Sequence, residues 1–365
     1  MPTVRDLLAA INSKYPLSRA ESWDRVGLQI GDANAEIRSA MVAHEITDEV
    51  LDAAGGQDAL VVYHPLLFRP LENLDFKNHT ARLAGRCLKA GHNVVAVHGA
   101  LDNAPQPHAL GDRLAASLGL GNVQVLQATG YEPLFKIVVF TPTEALDQVC
   151  EALWDAGAGT IGNYDRTSFR SRGTGTFCPL PGAEPHTGEV GKLEMVEEFR
   201  LEVIVTAANR DAVVKAMLAA HPYEEVAHDI YPLYNKNGPY GAARTGELST
   251  PLPFADWAAQ VRSALQAPSM RAVLGSSDTI RKVACSPGSG ASFIDAAVRA
   301  GCDCLVTGDI KHHDALKASA MGLAVLDTTH TATERATIVM LSEALAPLGI
   351  PVTSCTIDTN PFQHI

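Results

Sequence analysis

What most constrains this chain is a pattern that occurs twice. DEVLDAAGGQDALVVYHPLLF (48–68) reads as a helix, a glycine turn, then an apolar strand near Ala59–Tyr63. FIDAAVRAGCDCLVTGDIKHH (293–313) reads the same way, with its strand near Cys304–Thr307. Glycine after the last apolar turn is the usual helix stop. Each unit leads into a second helix and strand. ARLAGRCLKAGHNVVAVHGALD gives a strand near Val94–Val97, and HDALKASAMGLAVLDTTHTATE one near Ala324–Leu326. Short apolar strands alternating with helices predict an α/β layer of largely parallel strands, built as two similar halves.

The segment between the halves has another rhythm. KIVVFTP reads as a strand and EALDQVCEALWDAG as a helix, and GTIGNYDRTSFRSRGTGTF as a hairpin pair. EFRLEVIVTA, RDAVVKAMLAAHP and EVAHDIYPL then give strand, helix and strand. Two β-α-β runs in series predict a ferredoxin-like α+β sandwich. The expected organisation is a discontinuous α/β core, 1–127 and 247–365, around an insert at 128–246.

Charge and cysteine content exclude several functions. With 29 Lys plus Arg against 41 Asp plus Glu, the net charge is −12. That disfavours a nucleic-acid footprint or an anionic membrane surface. Arg166–Arg172 (RTSFRSR) is only a local basic stretch, readable as a solvated hairpin face. The seven cysteines are odd in number and contain no C-x-x-C, which argues against a disulfide framework and for a reducing cytoplasm. Cys302 and Cys304 should alternate onto one buried strand face. No segment reads as a signal peptide or membrane span.

In open α/β sheets, sites form beyond the carboxyl ends of the strands. The four expected strand ends carry Tyr63-His64-Pro65, His98 with Asp102, Thr307-Gly308-Asp309, and Asp327 followed by His330 and Glu334. Histidine with carboxylates is a ligand set for Zn²⁺, Mn²⁺, Fe²⁺ or Co²⁺. Each member also has an ordinary role. His64 is held extended by the next proline and suits a backbone hydrogen bond. Asp102 suits a turn or cap. Thr331-x-x-Glu334 fits a capping box. His312 and His313, early on a helix, suit solvent. Convergence of four such ends favours a cysteine-free, carboxylate-rich site for two ions about 3.5–4 Å apart.

WDRVGLQIGD, DALVVYHPLLF, HGALDNA, TGDIKHHDA, THTATE and the closing IDTNPF resemble the GTP cyclohydrolase 1 type 2 homologue family, also called NIF-three-like. HPYEEVAHDIYPL resembles the PII/CutA-like insert of its long members. The resemblance implies a dinuclear divalent-metal centre (Zn, Mn or Fe), a ring-shaped homohexamer and a metal-dependent hydrolase. It assigns metal ligation to Tyr63, His64, Asp102, His330 and Glu334. Tyr63 stands where the family has the first histidine of His-His-Pro, and Gly99 and Ala100 replace polar residues of its HTN segment. The expected outcome is a tight site of His64, Asp102 and Glu334 and a weaker one using His330. His98 and His330 are the candidate proton shuttles. No Walker loop is present, so a nucleotide or phosphoester substrate rests on the resemblance. A non-catalytic metal-handling or regulatory adaptor is the competing expectation.

Overall fold

The computed structural model describes residues 1–363. They form two compact units, Met1–Gly130 with the chain from Tyr240 onward, and Tyr131–Pro239. The sequence places the insert at 128–246. The strand Arg244–Pro253 hydrogen-bonds to Thr279–Ser289 in the core, so the chain has rejoined the core before residue 246.

The core unit carries two sheets of one plan. In the first, Ala40–Ala43, Ala59–Val62 and Asn93–Ala96 run parallel in that order, and Gly27–Ile30 lies antiparallel against the third. In the second, Thr279–Ser289, Cys304–Gly308 and Ala324–Asp327 repeat the order, with Arg271–Val273 antiparallel at the edge. The sequences AMVA, ALVV and NVVA are buried throughout. Such runs need cover on both faces, which the crossover helices supply. Alternation splits the cover: Val42, Val61 and Val95 face one cluster, and Met41, Leu60 and Val94 the other. The second sheet divides likewise, with Val306 and Leu326 on one side and Leu305 and Val325 on the other.

Cys302 and Cys304 are both buried, but they enter different clusters. The strand starts only at Cys304, so alternation does not govern Cys302 in the preceding turn.

The second unit is a four-stranded antiparallel sheet. Its order is His228–Leu233, Leu134–Pro142, Glu194–Thr206, Phe169–Phe177. With helices Leu146–Asp155 and Arg210–Ala220, this is the expected β-α-β-β-α-β order. The hairpin differs from expectation. Phe169–Phe177 pairs with Glu194–Thr206, while residues 159–167 form no strand and hold a local Ile161–Tyr164 bridge. Glycines at 157, 159 and 162 with positive φ turn that segment instead of extending it.

Candidate metal centre

The site lies within the core unit, where the strand ends of both half-sheets meet. Backbone pairing continues up to two residues past the strands of the first half. Tyr63 N–H donates to the Ala43 carbonyl (3.2 Å), His64 N–H to that of His44 (2.9 Å), and His98 N–H to that of Tyr63 (3.0 Å). In the second half Thr328 N–H donates to the Thr307 carbonyl (2.8 Å). The side chains that follow are therefore anchored by the sheets. Three of them stand on residues in left-handed backbone: His98 (φ 32°), Asp309 (φ 57°) and Thr329 (φ 78°). Such conformations cost about 1–3 kcal/mol each and persist only where the surroundings enforce them.

Glu334 is the centre, 2% exposed at the end of the one-turn helix His330–Glu334. One carboxylate oxygen, Oε2, lies 3.0 Å from His44 Nε2 and 3.6 Å from His64 Nε2. The other, Oε1, lies 3.1 Å from His330 Nε2, and His330 Nδ1 is 2.7 Å from Asp309 Oδ2. Glycine backs this group. A Cβ on Gly288 would come within 2.5 Å of Glu334 Oε1, and one on Gly308 within 2.7 Å of the His330 backbone nitrogen. The capping-box alternative is not what the structure displays, because Glu334 faces imidazoles.

Electrostatics follow from that packing. Burial pushes the Glu334 carboxyl up, but hydrogen bonds from His330 and His44 and the charge of His330 hold it near 2. His330 is raised to about 9, chiefly by its hydrogen bond to Glu334. His44 is depressed by burial, yet Glu334 and Glu45 carry it to about 9. His64, desolvated and beside two other histidines, falls to about 4 despite Glu334. It is a neutral imidazole at pH 7, the form that ligates metals.

The first half contributes a second group. The Tyr63 hydroxyl donates to Asp102 Oδ1 at 2.9 Å. Burial lifts the Asp102 carboxyl to about 7, with His98 opposing. His98 Nδ1 lies 2.9 Å from Asp24 Oδ1, and Gly99 N–H donates to Asp24 Oδ2 at 2.9 Å. Asp24 therefore fixes the tautomer and the aim of His98. A side chain at Gly99 would strike Asp24 and Glu21, within 2.7 Å of each.

Among the described residues, His44, His64 and Glu334 are the group whose ligand atoms all lie within 4.8 Å of one another. Two imidazoles and a carboxylate suit a divalent cation such as zinc. The group opens on a cavity of about 600 Å³ lined by Arg271, Asp327, Asn360 and Phe362. The Thr329 hydroxyl on its wall is buried without a protein partner. His64, His330 and Glu334 thus meet. Tyr63, His98 and Asp102 gather beside them around their own hydrogen bonds. His312 and His313 are exposed, meet edge to face, and do not line the cavity.

Sequence reasoning missed His44. It follows the apolar strand Ala40–Ala43 as His64 nearly follows Ala59–Val62, so the strand-end rule would have found it had that four-residue strand been recognised. Asp24 precedes a strand in sequence and carried no comparable signal.

A family model described as Duf34/NIF3 (NGG1p interacting factor 3) matches residues 2–361. A Halalkalibacterium halodurans protein named GTP cyclohydrolase 1 type 2 homolog is 38% identical over 359 residues, covering 96% of this chain and 95% of its own. The crystal structure of a Bacillus cereus protein related to NIF3 superposes with a TM-score of 0.88 at 36% identity, covering 100% and 99%. That of Staphylococcus aureus protein SA1388 gives 0.75 at 28%, also over 100% and 99%.

Proposed function

The chain belongs to the Duf34/NIF3 family, and from that premise we propose that it is a divalent-metal-dependent hydrolase acting on a nucleotide or phosphoester. One observation carries the reading: a buried glutamate from one half-sheet faces two histidines from the other, at the mouth of a cavity of nucleotide size. His44, His64 and Glu334 would hold the ion, with His330 and Asp309 steadying the carboxylate. A bound divalent cation supplies Lewis-acid polarisation and a water of lowered pKa. Around it the chain's own residues have distinct tasks. His98, oriented by Asp24, can exchange a proton through its free Nε2. Arg271 on the cavity wall, paired with Asp327, offers a cation to a phosphate. The exposed rings of Phe362 on that wall and of Trp23 beside His98 offer stacking faces for a base.

The name carried by the relatives points toward a guanine nucleotide, so GTP belongs in the first assay panel. Nucleotides and phosphomonoesters are incubated with Zn²⁺, Mn²⁺ or Fe²⁺ and either the native chain or Glu334→Gln. Turnover that requires the metal and disappears in the variant supports the hydrolase. Tight metal uptake and transfer without turnover supports the metal-handling reading, which Tyr63 in place of an imidazole favours. Assembly as a hexamer follows from the same resemblance and is read by sedimentation. Among the described residues no helix is long and apolar enough to cross a membrane.

A further inference from the structure

The cleft has two positions, and only one of them has the makings of a metal site. We infer that this chain holds a single divalent ion on His44, His64 and Glu334, while Tyr63 and Asp102 close the second position with a hydrogen bond. The inference rests on the metal reading above and sharpens it, because the family resemblance implies two ions.

The imidazole that Tyr63 lacks is supplied one strand away. Ala40–Ala43 and Ala59–Val62 are hydrogen-bonded parallel neighbours. Neighbouring strands lie about 4.8 Å apart, well within the reach of one side chain. His44 and Tyr63 stack, with ring centroids 5.5 Å apart and planes at 24°. The His44 and His64 rings lie closer still, at 4.6 Å, and present their Nε2 atoms to one oxygen of Glu334. Moving a ligand from the end of one strand to the end of the next thus keeps an imidazole pair while changing its geometry. Two nitrogens and one oxygen with an open side toward a cavity is the arrangement of His₂Glu sites that keep an exchangeable position.

The second position is blocked by size and by a hydrogen bond. Tyr63 is 1% exposed and sits against Val42, Val61 and Val97 in the core cluster. Its hydroxyl therefore cannot swing away from Asp102. That contact occupies Oδ1 of the carboxylate the second ion would need. His330 is likewise committed, with Nε2 on Glu334 and Nδ1 on Asp309. Glu334 is shared between the halves, but His44 and His64 crowd one of its oxygens and a lone imidazole meets the other. Asp102 is absent from the group whose ligand atoms converge.

Ion counting tests this directly. The full-length protein is stripped with chelator, titrated with Zn²⁺ by calorimetry, and its bound metal counted by mass spectrometry. The native chain should take up one tightly held ion per subunit. His44→Ala should weaken that binding by about 100-fold or more, at least the upper end of the cost of removing an outer partner of a ligand. Tyr63→His should raise the count to two. Loaded with Mn²⁺, the native protein should give the six-line resonance of an isolated ion, and Tyr63→His a coupled-pair signal. Should His44→Ala fail to fold, as judged by circular dichroism, His44→Gln and the native Mn²⁺ spectrum carry the test. Two tight ions in the native chain, or unchanged affinity without His44, overturn the inference and leave the hydrolase reading standing. A Tyr63→His count that stays at one overturns the role given to Tyr63. No bound ion in any form overturns both readings.

Discussion

The two half-sheets are built alike and end differently. Each follows a parallel strand with a one-turn helix that begins with histidine and ends, four residues on, with a carboxylate: His98–Asp102 and His330–Glu334. In the second half the pair faces inward, His330 on Glu334, and Glu334 reaches across to His44 and His64. In the first half the pair is divided, with His98 turned to Asp24 and Asp102 held by Tyr63. A shared scaffold therefore delivers equivalent residues to equivalent places. Which carboxylate becomes the centre is decided by what the neighbouring strand ends offer it. Glu334 meets three imidazoles and is held ionised, whereas Asp102 meets a phenol and is pushed toward neutrality by burial.

Equalising the two carboxylates is the strongest way to break this contrast. Glu334→Gln should abolish tight metal uptake, a loss beyond about 100-fold, whereas Asp102→Asn should leave affinity within a few-fold, both read by calorimetry. Gly288→Ala comes next. A Cβ at φ 58° and 2.5 Å from Glu334 should cost about 1–3 kcal/mol in urea unfolding and weaken the ion with it.

Proton linkage gives an intermediate effect. His44 and His330 carry protons up to about pH 9 in the ion-free cleft and must lose them to ligate or to free the carboxylate. Mn²⁺ affinity should therefore climb as pH rises from 6.5 toward 9, with protons released on binding. In the ion-free chain the raised His44 value stabilises the fold fully below pH 6.5. That stabilisation fades as pH passes through about 9, which unfolding midpoints across the range will register. The smallest effect falls on the first half. Asp24→Asn should leave metal content unchanged while shifting the pH profile of turnover, since the variant no longer supports a charged His98.

Much of this could be read from the chain. ALVV, NVVA, CLVTG and AVLD are too apolar to lie anywhere but inside a covered parallel sheet, and glycines at 91, 301 and 322 stop the intervening helices. His64, His330 and Glu334 were accessible because they follow such strands. The hairpin of the insert was not. Its arms are separated by residues 178–193, and local turn residues at 159–167 mimicked a nearer partner. His44 was hidden by the shortness of its strand, and Asp24 by its role of orienting a residue 74 positions away.

Sequence alone determined that there are two similar α/β halves, an α+β insert between them, and a set of histidines and carboxylates at strand ends. Local pattern suffices for that, since burial period and turn chemistry act over a few residues. Only the tertiary structure decided which of these groups meet. Glu334 faces His44 and His64 only because the two half-sheets pack together, bringing His44 to a carboxylate 290 positions away, and Asp102 meets Tyr63 only because neighbouring strand ends of the first half bring together residues 39 positions apart. Each side chain's protonation is then set by that packing, through burial and neighbouring charge, and no local pattern in the chain specifies it.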